Sequence, residues 1–149
     1  GDEETVEAHQ ILESRCPQHR RLVTPTVLLE TRFLSRQTDD PLLHRAATLA
    51  LRKLTSEWQI DTGFLSPVQH GIAEQVAREI RWRGLLPQEE KHDSLIIAEA
   101  ALLNAILLVT NDSLLRGLER LTLELVCDHF DLRAPIIATP REIIRFFTR

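Results

Sequence analysis

Residues 91–119, KHDSLIIAEAALLNAILLVTNDSLLRGLE, constrain the fold of this chain more than any other stretch. An acid, Asp93, opens a nearly unbroken apolar run over residues 95–109. A second acid closes that run in Thr110-Asn111-Asp112. The run is too long for one strand and is interrupted by Glu99 and Asn104, so it divides at Asn104. Residues 94–103, rich in Ala and Leu, predict a helix. Residues 106–110, aliphatic with no polar break, predict a strand buried on both faces.

The lengths agree with that division. About ten helical residues at ~1.5 Å each, and about five strand residues at ~3.3 Å each, both cover roughly 15 Å. A helix running down and a strand running back would bring Asp93 and Asp112 to one edge of a sheet. In open α/β sheets, ligands bind at the edge outside the carboxyl ends of the strands. Each acid also has a plainer role, Asp93 at a helix N-terminus and Asp112 as the cap of a helix over 113–118.

At 149 residues the chain reads as one domain with enough apolar content to bury a core. No apolar run free of polar residues reaches membrane-span length, and no signal peptide opens the sequence. Cys16 and Cys127 lack metal-ligand spacing, which argues against a zinc site or a disulfide framework and suits a reducing cytoplasm. The net charge of −4 does not point to nucleic acid, although only Lys53 and Lys91 among the 18 basic residues are lysines. Arginine forks suit phosphate contacts; a GC-rich genome would give the same bias.

Four helices announce themselves by a capping residue followed by proline: Thr24-Pro25, Asp40-Pro41, Ser66-Pro67 and Thr139-Pro140. Glu142 adds a capping box to the last. Helices are therefore expected over 25–37, 41–57, 67–83 and 141–147, after an amphipathic helix over 2–16. Strands are expected over 21–24, 58–61 and 135–138; residues 121–126 fit either. The alternation indicates an α/β fold, a parallel sheet flanked by helices.

A third acid, Glu30 in TPTVLLETRFL, lies just over one turn into a helix that follows a strand, so it too falls near the carboxyl edge. Three carboxylates ~5 Å apart, at an effective dielectric near 20, repel by roughly 3 kcal/mol per pair. A cation would relieve that repulsion, and oxygen-only donors select Mg²⁺ or Mn²⁺. A hard ion held by acids is the equipment of phosphodiester hydrolysis.

HDSLIIAEAALLNAILLVTNDSLL resembles the signature of PIN domains, metal-dependent ribonucleases that include the VapC-type toxins of bacterial toxin–antitoxin pairs. The resemblance extends to TPTVLLE upstream and IIATPREII near the carboxyl end, nearly the whole chain. It implies that Glu30, Asp93 and Asp112 are catalytic and metal-binding, with Thr110 as a supporting hydroxyl. It implies an RNA substrate in the cytoplasm, and leaves open an antitoxin partner and a homodimer. The pattern departs from the family in one place: the hydrophobic first strand, central in the sheet and ending in an aspartate, has no counterpart. Its neighbours would then stand ~9–10 Å apart, twice the usual strand spacing. The chain contains no methionine, and the expectation is that roughly 10–25 residues carrying such a strand of typical length belong before Gly1.

Two other functions compete. One is a catalytically inactive PIN-like module that binds RNA or protein, favoured by the lack of a fourth acid. The other is a different Mg²⁺-dependent phosphotransfer enzyme, which would need a phosphate-cradling glycine loop that the five glycines do not form. His92 is expected at the surface rather than orienting a metal-bound water. Trp58 and Trp82 are expected to pack rather than stack on bases, and Arg78, Arg81 and Arg83 to favour a helix C-terminus.

Overall fold

The computed structural model describes residues 2–148, and its elements alternate largely as the sequence predicts. Helix α1 (Asp2–Arg15) leads to β1 (Leu22–Val23), followed by α2 (Pro25–Arg36), α3 (Pro41–Arg52) and β2 (Asp61–Thr62). Helices α4 (Pro67–Trp82) and α5 (Lys91–Leu102) precede β3 (Leu107–Val109), and α6 (Ser113–Arg116), α7 (Arg120–His129), β4 (Ile136–Ala138) and α8 (Pro140–Phe147) complete the chain.

All four cap-and-proline signals start helices, and each capping oxygen accepts from the backbone N–H three residues on. The reciprocal half of a capping box is made at Ser66, where the Gln69 side chain accepts from the Ser66 N–H. At Thr139 it is not made, because Glu142 pairs with Arg116 instead. Of residues 58–61, only Asp61 belongs to a strand. A π-helical turn, Lys53–Glu57, prolongs α3, and Gln59 sits at a left-handed φ of 50°, which delays β2 to Asp61. The ambiguous residues 121–126 belong to α7, capped by Glu119 through Leu121 and Thr122 and buried along Leu123, Val126 and Cys127.

The expectation of one parallel sheet needs correction. There are two parallel pieces of two strands each, β1–β2 and β3–β4, and no hydrogen bond among the described residues joins them. Asp61 N–H donates to Arg21 O at 3.0 Å and Gly63 N–H to Val23 O at 2.8 Å. In a parallel ladder this turns Arg21 and Val23 toward β2 and the main-chain groups of Leu22 the other way. Ile136 N–H donates to Ile106 O at 2.8 Å and Thr110 N–H to Ala138 O at 3.0 Å, so Leu107 and Val109 likewise turn their backbone groups away from β4.

Side chains alternate across β3 as a strand requires. Leu108 joins the main core of Val76, Ile80, Ile97, Leu123 and Val126, whereas Leu107 joins a second cluster of Ala8, Ala138 and Ile143. Both faces are covered, yet Ile106 is 50% and Val109 39% exposed. The expected fully buried strand is thus open along one edge, because it has a neighbour only on the β4 side.

Two helices tie the pieces together, one on each face. Ala8, Ile11 and Leu12 of α1 pack on the Leu107 side. From the same helix, His9 stacks on Trp58 at 4.2 Å and Glu13 pairs with Arg21 at 3.5 Å, reaching the approaches to β2 and β1. On the opposite face α5 is buried along Ile97, Ala98, Ala100 and Ala101, and it too touches both pieces. Leu103, which caps its C-terminus, lies against Gly63, where a Cβ would come within 2.5 Å of Leu103 Cδ1 and push that side chain aside. At the far end of α5, Asn104 takes φ 59° and reverses the chain into β3, at the break the sequence suggested.

Candidate metal and nuclease site

Each sequence-predicted acid is placed by a helix start. Thr24 caps α2, and Glu30 follows on its second turn. Helix α5 begins at Lys91, three residues earlier than expected, so Asp93 stands inside its first turn. Asp112 follows β3 and caps α6, its Oδ1 accepting from Leu114 N–H at 2.9 Å. Thr110 Oγ1 accepts from Asp112 N–H at 3.0 Å and fixes the turn between strand and cap.

One contact links two of these helices. His92 Nδ1 lies 2.5 Å from Glu30 Oε1, linking the first turn of α5 to α2. The carboxyl of Glu90 is held above its ordinary pKa, first by a side-chain hydrogen bond with Asp93. Burial adds to this, followed by the negative charges of Asp93, Glu89 and Asp112. Negative charges thus crowd the start of α5, which disfavours the charged form of Glu90. No group of three His, Cys, Asp or Glu side chains among the described residues is gathered closely enough to hold one ion.

Behind this edge lies a buried polar seam. Glu99, only 3% exposed, accepts from Thr26 N–H at 3.0 Å and from Thr26 Oγ1 at 2.9 Å. A carboxylate on the N-terminus of α2 is well placed for the helix dipole, and it ties α2 to α5. Arg81 Nη1 donates to Ser94 Oγ at 2.6 Å, and Ser94 donates to Lys91 O at 2.9 Å. Arg81 therefore braces the start of α5, although its buried Nε has no partner.

Sequence reasoning missed Glu90 and the use made of Glu99. The spacing of Glu90 and Asp93, one helical turn apart, was a usable signal for the first. For the second, the signal was the lone acid inside the apolar run. His92 is exposed as expected but bound to Glu30. Trp82, expected to pack, is 72% exposed, whereas Trp58 packs on His9. Burial, then the nearby Arg21 charge, lowers the His9 pKa against the pull of Glu13, so this ring favours its neutral form. Among the described residues no helix is long and apolar enough to cross a membrane. Set against known proteins, the chain matches no family model, no curated protein and no solved structure.

Proposed function

We propose that this chain acts as a metal-dependent endoribonuclease of PIN type, working on RNA in the cytoplasm with Mg²⁺ or Mn²⁺. The observation that supports the reading is the contact of His92 Nδ1 with Glu30 Oε1 at 2.5 Å, which ties the helix bearing Glu30 to the first turn that bears Asp93. The donors are all oxygen, which fits a hard divalent ion in kind. Glu30, Asp93 and Asp112 would hold it, with Thr110 fixing the approach to Asp112. When bound, the ion would supply a hydroxide and neutralise charge at the phosphorus. Leu29, Phe33 and Leu42 stand exposed on α2 and α3, an apolar surface that supports a protein partner such as an antitoxin or a second copy.

A second reading, an inactive PIN-like module that binds RNA or protein, has its own observation. Glu30 is engaged by His92 and Asp112 by the start of α6, so both acids already have partners.

Thermal unfolding with Mn²⁺, alongside labelled single-stranded RNA, separates the two. The nuclease reading expects Mn²⁺ at about 100 times Kd to add about 2.7 kcal/mol of stability, and the RNA to be cut. Asp112→Asn should be neutral without the ion, since asparagine also caps helices, and should abolish the Mn²⁺ gain. Unfolding of metal-free Asp112→Asn would make Asp112 a structural cap. RNA bound but never cut, with no Mn²⁺ response, selects the inactive module.

A further inference from the structure

We propose that His9 is a proton-operated latch: neutral, it holds the turn over residues 53–60 against α1, and protonated, it lets that turn go. The inference stands on the packing of α1 and does not rest on the nuclease reading. The turn is an unusual piece of backbone. Lys53–Glu57 winds as a π-helix, Trp58 N–H donates back to Lys53 O at 2.8 Å, and Gln59 takes a left-handed φ of 50°. A left-handed non-glycine residue costs free energy and persists only where its surroundings hold it. Single π-turns are likewise uncommon and recur at functional sites. The neighbour in contact is His9 of α1, whose ring stacks on Trp58 with centroids 4.2 Å apart and planes 17° from parallel.

The ring's hydrogen bond fixes its protonation state. Arg21 Nη1 lies 3.2 Å from His9 Nε2. A guanidinium can only donate, so Nε2 must accept and the ring proton sits on Nδ1. A second proton would go to Nε2 and set two donors against each other, in a side chain only 12% exposed. Three charged groups face the ring: Arg21 from the approach to β1, Glu13 from α1 itself and Lys53 from the turn. Glu13 Oε2, 4.0 Å from Nε2, favours the proton, as does the face of Trp58. Arg21 opposes it, and so does Lys53, whose Nζ lies 5.7 Å from the same Trp58 ring. Glu13 is 59% exposed and already paired with Arg21 at 3.5 Å, so its pull is shared and screened. Arg20 and Asp61, the next charges along the chain, pair with each other at 3.2 Å.

Burial and then Arg21 outweigh Glu13 and hold the ring below its ordinary pKa of 6.5. The opened turn therefore binds the proton more readily than the closed latch. The latch holds fully above pH 6.5 and weakens as pH falls through the lower value of the closed form. Opening is confined to one side of α1. On its other side Ala8, Ile11 and Leu12 stay packed with Ala138 and Ile143, none of which titrates. Acid thus frees residues 53–60 and the approach to β2 while the helix itself remains docked.

Trp58 reports the latch directly once Trp82→Phe leaves it the sole tryptophan. Three full chains carrying that change are titrated from about pH 8 to about pH 5, above the range where carboxylates ordinarily titrate. One is otherwise unaltered, one carries His9→Phe and one Arg21→Gln. Trp58 emission should change with a midpoint below 6.5 that matches titration of the His9 ring followed by NMR. Over the same range, exchange protection of the Trp58 and Ile60 amides, both hydrogen-bonded within the turn, should fall about threefold or more. Protection of Ile80 and Val126 should hold. His9→Phe keeps a ring on Trp58 without a proton site and should flatten both readouts. Arg21→Gln removes the opposing charge and should raise the midpoint. Four results overturn the proposal. In the first, His9 stays neutral throughout or titrates at 6.5 or above. In the second, His9→Phe retains the transition, which places it on another group. In the third, Arg21→Gln folds and leaves the midpoint unchanged. In the fourth, the ring titrates while Trp58 and Ile60 keep their protection, which means that the charged ring re-pairs with Glu13 and the latch stays shut.

Discussion

The two sheet pieces are built from similar material and reach different degrees of order. Around β3–β4, helices α4, α5 and α7 bury Val76, Ile80, Ile97, Leu123 and Val126 at 0–1% exposure. Around β1–β2 the helices are just as amphipathic in sequence, yet α2 buries only Leu28 and α3 only Ala47. Leu42 and Phe33 are left 80% and 62% exposed. An apolar helix face contributes stability only where another element covers it. The strands β1 and β2 are two residues each, and both residues of β2 are exposed. The comparison teaches that global stability resides in the β3–β4 half, with α1 and α5 holding the other half to it.

The sharpest way to break that comparison is to hollow each half in turn. Ile97→Ala should cost about 4 kcal/mol in urea unfolding, toward the upper end for a fully enclosed side chain, and Leu28→Ala about 2 kcal/mol. Equal losses would mean that the two halves are equally packed.

Cysteine titration offers a second, somewhat smaller effect. Burial pushes the Cys127 thiol up from 9.0 to about 11, against a weaker opposing pull from Arg120. The folded chain then holds this proton more tightly than the unfolded one, so the stability it contributes is full below about pH 9 and is lost as pH rises toward 11. At about 1.4 kcal/mol per unit, the loss should be about 2–3 kcal/mol, and Cys127→Ala should flatten it. Native-state alkylation should strike half-buried Cys16 first and reach Cys127 only through global unfolding. Equal alkylation rates would show that the β3–β4 core opens as readily as its neighbour.

The smallest effect probes the seam itself. A double-mutant cycle of Thr26→Val and Glu99→Ala should return a coupling of about 1–2 kcal/mol, the worth of a hydrogen bond to a buried carboxylate. Coupling below about 0.5 kcal/mol would show that the halves are not joined there.

Much of the local structure was legible because its causes are local. A capping oxygen, a proline with preset φ and a left-handed Asn104 act within a few residues, and each marks its boundary correctly. What the sequence hid depends on neighbours distant in the chain. The exposure of Val109 goes with the pairing of β3 to β4 alone, and apolar composition cannot report that. Trp82 lies at the end of α4 with nothing packed over it. The site was half legible: the three acids stand where their helix starts put them, but Glu30 meets α5 through His92, 62 positions away. Glu99 could be seen as an oddity in an apolar run, and its partner Thr26, 73 positions away, could not.

The packing of α1 against α8 also sets an order of assembly. Glu4 and Arg141 are 137 positions apart, so their pairing closes nearly the whole chain into a loop. The elements from α4 to β4 are close in sequence and can collapse with little loop entropy, whereas α1 must wait for α8 to be in place. The helix that closes last is also the first to lift away, because few of its side chains enter the main core. Transient opening at this end exposes the β3 edge while α4, α5 and α7 stay folded, so the chain is most vulnerable to proteases and to self-association along α1.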